Sequence, residues 1–163
     1  PNPFVIDSTL ARRIWYPQSN LTVEYTDGWN LVGLPLIVDD NNYLTQFSNA
    51  VEGTLFSYNL VYEEETTLEH GSGYWLMIDS TFSNVFTGES LTELNIMLNE
   101  GWNLVTGLSS PIQIENIIDN DGIIIENTLF GFDEFYQESN SLIAGKGYWL
   151  KANSSGIITI VSD

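Results

Sequence analysis

The 163-residue sequence has no cysteine, one histidine, and only four Lys or Arg against 22 Asp or Glu. Each shortage excludes something. Without cysteine there is no disulfide framework and no thiolate metal centre. A formal charge of −18 repels phosphate backbones, so nucleic-acid binding, which draws its affinity from Lys and Arg on phosphates, is excluded. Anionic membrane surfaces are disfavoured for the same reason. No apolar run approaches the roughly 18 residues that a membrane-spanning helix needs, so membrane insertion is not expected. The single histidine, His70, sits in a glycine turn, and the chain has no Gly-x-Ser-x-Gly elbow, phosphate-binding loop or His-Glu-x-x-His motif. Nothing singles out two of the 22 acids as a pair for glycoside hydrolysis, so an enzyme is not expected. The acidic field leaves room for a cation, a neutral partner such as a glycan, or another surface protein.

What is present is a duplication. Gly28-Trp29-Asn30-Leu31-Val32 recurs 73 positions on as Gly101-Trp102-Asn103-Leu104-Val105. Gly73-Tyr74-Trp75-Leu76 recurs 74 positions on as Gly147-Tyr148-Trp149-Leu150, and one inserted residue, most simply Thr106, accounts for the difference. With the 74-residue offset, Thr54 to Leu76 matches Thr128 to Leu150 at eleven of 23 positions, well beyond chance. The chain therefore divides into an N-terminal segment (1–20), a first repeat (21–93) and a second repeat (94–163). A unit of about 70 residues buries too little apolar surface to be comfortably stable alone, so the repeats are expected to share one core.

Leu21, Val23 and Tyr25 alternate with polar residues, the period of a half-buried strand. Asp27-Gly28 then predicts a tight hairpin turn into the strand carrying Trp29. Tyr43, Leu44 and Phe47 fit one helical turn with an Asp or Asn cap. Strands are expected over Thr54–Tyr58, Val61–Tyr62, Tyr74–Ile78 and Val85–Gly88. The second repeat copies the order, with Ser110, Pro111 and Gln113 predicting the start of its helical turn and Ile157 to Val161 the last strand. In the N-terminal segment, Ser8 could cap a short helix, or Val5-Ile6 and Ile14-Trp15-Tyr16 could be strands. The expected fold is all-β: two tandem pseudo-symmetric repeats forming a β-sandwich or barrel, with one short helical turn per repeat.

The paired phrases resemble a duplicated Gly-Trp-Asn…Gly-Tyr-Trp repeat of large bacterial secreted and cell-surface proteins, where it sits beside immunoglobulin-like, cohesin-like or sorting domains. The resemblance covers Leu21 to Asp163 and brings no catalytic residues with it. Pro1-Asn2-Pro3-Phe4 also resembles the opening of a sorting domain of gliding bacteria, although here it precedes the repeats. The resemblance implies an extracellular or cell-surface location. The start at Pro1 rather than Met suggests a piece of a longer chain with neighbouring domains.

Trp29, Trp75, Trp102 and Trp149 lie in apolar strands beside glycines, which predicts core aromatics rather than a sugar platform. The motif residues Gly28, Trp29, Asn30, Gly73, Tyr74, Trp75, Gly101, Trp102, Asn103, Gly147, Tyr148 and Trp149 are accordingly expected to preserve a fold, with function sought where the copies differ. Trp15, Tyr16, Tyr43 and Tyr58 are the candidate ligand-binding rings. Asp39-Asp40 and Asp119 with Asp121 form oxygen-rich loops suited to calcium, although the EF-hand pattern fails and a turn explains Asn120 to Gly122 better. No other cofactor is implied. The expected function is a non-catalytic spacer, adhesion or display module of an exported protein; the alternative is a carbohydrate-binding module, with or without calcium.

Overall fold

The computed structural model describes residues 17–162. Trp15, Tyr16 and the helix-or-strand alternatives of the N-terminal segment lie outside the described residues.

The first repeat contains β1 (Gln18–Tyr25), β2 (Gly28–Val32), β3 (Leu36–Ile37), a helical turn α1 (Tyr43–Gln46), β4 (Phe56–Asn59), β5 (Val61–Glu64), β6 (Tyr74–Ile78) and β7 (Phe82–Ser90). The second contains β8 (Glu93–Leu98), β9 (Gly101–Thr106), β10 (Ile112–Gln113), a 3-10 turn (Ile114–Asn116), β11 (Phe130–Asp133), β12 (Phe135–Glu138), β13 (Ser141–Leu142), β14 (Gly147–Ala152) and β15 (Gly156–Val161). The fold is all-β. Each repeat builds a four-stranded antiparallel sheet of the same order, β2-β6-β4-β5 in the first and β9-β14-β11-β12 in the second. A second layer packs against each, β1-β7-β3 on one side and the pairs β15-β8 and β10-β13 on the other.

Period 2 sorts each four-stranded sheet into two faces. In the first, Val32, Tyr74, Leu76 and Ile78 join Val23, Tyr25, Leu36 and Phe86 of the covering layer in one buried cluster. In the second, Val105, Tyr148, Leu150 and Ala152 join Leu98, Ile112, Ile158 and Ile160 in another. Each repeat thus has its own core. What the two share is a third cluster made by the opposite faces: Leu31, Leu104 and Trp149, with Tyr58, Trp75, Phe130 and Phe132 against them.

The expected β1–β2 hairpin does not form. β1 pairs with β7, from Gln18↔Glu89 to Tyr25↔Phe82, and β2 pairs with β6. Gly28, at φ +94°, turns a corner between layers instead, and Gly101 does the same at φ +97°. Positive φ suits either a hairpin or a corner, so the local turn signal does not distinguish them. The motif asparagine holds the corner. The Asn30 amide nitrogen donates to the Thr26 carbonyl (2.8 Å) and the Gly28 carbonyl (3.0 Å), while its oxygen accepts from the Thr26 backbone N–H (3.2 Å). Asn103 repeats this with the Asn99 carbonyl (2.8 Å), the Gly101 carbonyl (3.1 Å) and the Asn99 N–H (2.8 Å). Both side chains are buried. Asn103→Asp, which sets a carboxylate oxygen against two carbonyls, is expected to cost about 2–3 kcal/mol by urea denaturation. A loss under about 0.5 kcal/mol would remove the staple from the account.

The helical turns differ between repeats. Asn42 caps α1, its side chain accepting from the Leu44 N–H at 2.9 Å. In the second repeat the turn starts later than Ser110-Pro111 predicts, at Ile114, and without a side-chain cap. Ile112-Gln113 instead pair with β13 and hold that stretch extended.

Candidate binding site: paired aromatic clefts

The faces turned away from the two cores are lined with rings. In β2, Trp29 and Leu31 share a face, and across the sheet Trp29 opposes Met77, Leu31 opposes Trp75, and Trp75 opposes Phe56. Further along the β4–β5 hairpin, Tyr58 faces Tyr62 and Phe56 faces Glu64. The second sheet places Trp102, Leu104, Trp149, Lys151, Phe130, Phe132, Tyr136 and Glu138 in the corresponding positions.

Each hairpin lies over the other repeat. Tyr58 packs on Trp149 at 4.9 Å between ring centroids, and Phe132 on Trp75 at 4.8 Å, both at 76°. Trp29 meets Phe56 at 6.1 Å and Trp75 at 6.3 Å; Trp102 meets Phe130 at 6.1 Å and Trp149 at 6.4 Å. Agreement to about a tenth of an ångström makes these two copies of one arrangement. Edge-to-face packing of this kind fixes ring orientation and adds about 0.5–1.5 kcal/mol per pair.

Two open clefts result. The first, of about 430 Å³, is lined by Trp29, Phe56, Tyr62, Trp75 and Phe132. The second, of about 400 Å³, is lined by Tyr58, Tyr62, Trp102, Phe130, Tyr136 and Trp149. Trp29 and Trp102 are each 40% exposed, and Tyr62 and Tyr136 each 56%. Trp149 is buried, as expected for a core aromatic, but Trp29 and Trp102 are not core residues and Trp75 is only half-buried. Alternation puts Trp29 on one face with Leu31; what it cannot show is that this face closes over Leu31 and Leu104 and opens at the tryptophan end. Trp149 also carries the one buried side-chain N–H among the described residues that lacks a partner, its Nε1.

The other expected site residues fall elsewhere. Tyr58 lies in the second cleft, but Tyr43 is buried in the first core, and its hydroxyl accepts from the Gly53 N–H at 2.8 Å. It packs inward because α1 presents it to Phe47 and the sheet, so it is not a ligand platform. Neither proposed calcium loop gathers a ligand set: no group of three or more His, Asp or Glu among the described residues is placed to hold a metal. Asp119 accepts from the Ile123 and Ile124 N–H groups at 3.0 and 2.8 Å. Asp40 accepts from the Asn42 N–H and the Thr45 hydroxyl, which hold its carboxyl below the usual range. Asp39 and Asp121 are exposed beside them. Millimolar calcium or EDTA is therefore expected to leave the melting temperature unchanged; a rise of several degrees with calcium would overturn this reading. His70 is half-buried, its Nε2 at 2.9 Å from the Leu36 carbonyl and away from both clefts.

Other matched residues serve the fold. The Tyr74 hydroxyl accepts from the Glu69 N–H (2.9 Å) and the Tyr148 hydroxyl from the Ile143 N–H (3.1 Å). Thr54 and Thr128 each accept from a β6 or β14 backbone N–H at 3.2 Å. The Tyr25 hydroxyl crosses between repeats, donating to the Gly145 carbonyl at 2.6 Å. Burial pushes the Tyr25 phenol well above its usual value, and raises Tyr62, Tyr74 and Tyr148 as well. The protonated phenols are favoured by folding, so their contribution is complete below about pH 10 and is lost as pH climbs from there towards the raised folded values. Burial of Lys146, offset by Asp133 and Glu24, lowers its pKa and acts with the opposite sign, as one group against four. Stability is expected to stay level from about pH 7 to 9 and to fall above about 10, with a shallower fall in Tyr25→Phe; an identical alkaline slope in that variant would contradict it.

No helix among the described residues is long and apolar enough to cross a membrane. No protein-family model, curated protein or solved structure matches the chain.

Proposed function

We propose that the chain is a non-catalytic adhesion module of an exported protein and that its paired clefts dock a glycan. The observation that carries this reading is the exposure of the same rings in both repeats. Tyr62 and Tyr136 are more than half exposed, yet both copies keep them, as they keep Trp29 and Trp102 at the cleft walls. A core does not require that; a ring platform does. Pyranose rings present C–H faces that stack on Trp and Tyr while their hydroxyls stay in water, which suits an open cleft walled by aromatics. Two like clefts on one body favour a polymer over a monosaccharide, because the second contact becomes intramolecular.

The non-catalytic part rests on chemistry: the cleft walls carry no nucleophile with an adjacent base, and His70 lies elsewhere. The location outside the cell rests on the resemblance of the duplicated phrases to repeats of bacterial surface proteins. Affinity electrophoresis through gels containing soluble polysaccharides tests the reading. Retardation by at least one polysaccharide, lost in the Trp29→Ala/Trp102→Ala double variant, is expected. Equal mobility in every gel across a broad neutral and charged panel would overturn it.

A further inference from the structure

We infer that the glycan taken by these clefts carries ammonium groups, as in a polymer of 2-amino-2-deoxy sugars. This rests on the glycan reading above and names its substrate class. Three observations carry it. The first is a retained carboxylate. Within Glu63-Glu64-Glu65, Glu64 alone is matched in the second repeat, by Glu138. Glu64 is the cross-strand partner of Phe56, and Glu138 of Phe130. Directly opposed residues of antiparallel strands share a face. Each exposed acid therefore shares a sheet face with a phenylalanine of a cleft wall while standing outside the aromatic lining itself, and the neighbours on the opposite face, Glu63 and Glu65, drift to Gln137 and Ser139.

The second observation is how the protein places its own ammonium groups. Among the described residues the side-chain cations are Lys146 and Lys151, and both sit over rings. Lys146 Nζ is 4.4 Å from the Tyr25 ring centroid and donates to the Glu24 carbonyl. Lys151 Nζ is 5.6 Å from that of Trp102, in the second cleft. The residue equivalent to Lys151 is Met77, opposite Trp29, so the first cleft has the same rings without the cation. An ammonium group placed over Trp29 would reproduce an arrangement the molecule already builds over Trp102. The third observation is the field: a charge of −18 gathers cations, repels uronate or sulfated chains, and focuses on concave apolar walls. Exposed ion pairs and cation–ring contacts each shift affinity by about two- to fivefold, so together they give a preference of about tenfold. The first cleft should carry most of it, because Lys151 repels a second cation from Trp102.

Calorimetric titration of the whole chain with three oligosaccharides of equal length tests this: a fully deacetylated glucosamine oligomer, its neutral glucose counterpart, and an oligogalacturonate. The amino-sugar oligomer is expected to bind about tenfold tighter than the neutral one in low salt, and the galacturonate not at all. The preference should collapse near 1 M salt, where the screening length falls to about 3 Å. Glu64→Gln/Glu138→Gln should reduce amino-sugar affinity about two- to fivefold, leaving the smaller preference that the ring contact supplies. Lys151→Met, which installs the residue of the other repeat, should raise amino-sugar affinity severalfold. Equal affinities for amino and neutral oligomers at low salt would overturn the inference and leave the glycan reading standing. Binding of none of the three, with no retardation by any polysaccharide, would overturn both.

Discussion

Gly73→Ala and Gly147→Ala are each expected to destabilise the protein by about 1–3 kcal/mol, and the double substitution to approach loss of the fold. Neither glycine owes this to a positive φ. A Cβ on Gly73 would lie 2.7 Å from the Val105 carbonyl oxygen, and one on Gly147 2.8 Å from that of Val32. The obstructing atoms are backbone, so no rotamer change relieves the overlap. At these points the repeats join through the main chain: the Gly73 N–H donates to the Leu104 carbonyl at 2.9 Å, the Thr106 N–H to Gly71 at 3.1 Å, and the Gly33 N–H to Gly145 at 3.1 Å. Bridges Ser72↔Val105 and Val32↔Lys146 complete the exchange. Gly122→Ala is the control, since a Cβ there meets nothing within 4 Å and its φ of +63° costs only about 1–2 kcal/mol of left-handed strain. If Gly73→Ala and Gly147→Ala proved neutral in thermal and chemical denaturation, the repeats could not be joined this closely.

The second large effect separates the tryptophan of the Gly-Tyr-Trp phrase in the second repeat from those of the two Gly-Trp-Asn phrases. Trp149→Ala is expected to cost about 3–5 kcal/mol, because it empties the middle of the shared cluster and removes one of the two ring partners of both Tyr58 and Trp102. Trp29→Ala and Trp102→Ala should cost about 2 kcal/mol or less each, since part of either ring already faces water. For glycan binding the order reverses: the two exposed tryptophans carry the stacking surface, so their joint removal should abolish retardation by polysaccharide in a protein that remains folded by circular dichroism. Similar stability losses for all three would return these rings to a purely structural role.

The duplication, the all-β class, the period-2 strands and the Asn42-capped turn were legible in the sequence because they depend on neighbours a few positions apart. The layers were not. Asp27-Gly28 marks a turn, but whether the chain doubles back or crosses to the other sheet is decided by β7, more than fifty residues later. Likewise Trp29 and Leu31 are recognisable as one face, while their pairing with Trp75 and Phe56 and their degree of cover depend on distant strands and on a hairpin contributed by the other repeat. The signal that was available for the clefts lay in the matched positions themselves. Tyr62 with Tyr136, and Glu64 with Glu138, recur inside polar stretches where no core needs them, and the structure leaves all four exposed. Function is therefore sought where the copies agree at the surface as well as where they differ.

The most direct test follows the indole N–H resonances during titration with a polysaccharide that retards the protein. The Trp29, Trp102 and Trp149 signals, assigned through single Trp→Phe variants, are expected to move together and saturate at one ligand concentration, since all three rings line the clefts. Binding that leaves all three signals in place would put the ligand outside the clefts and contradict the account.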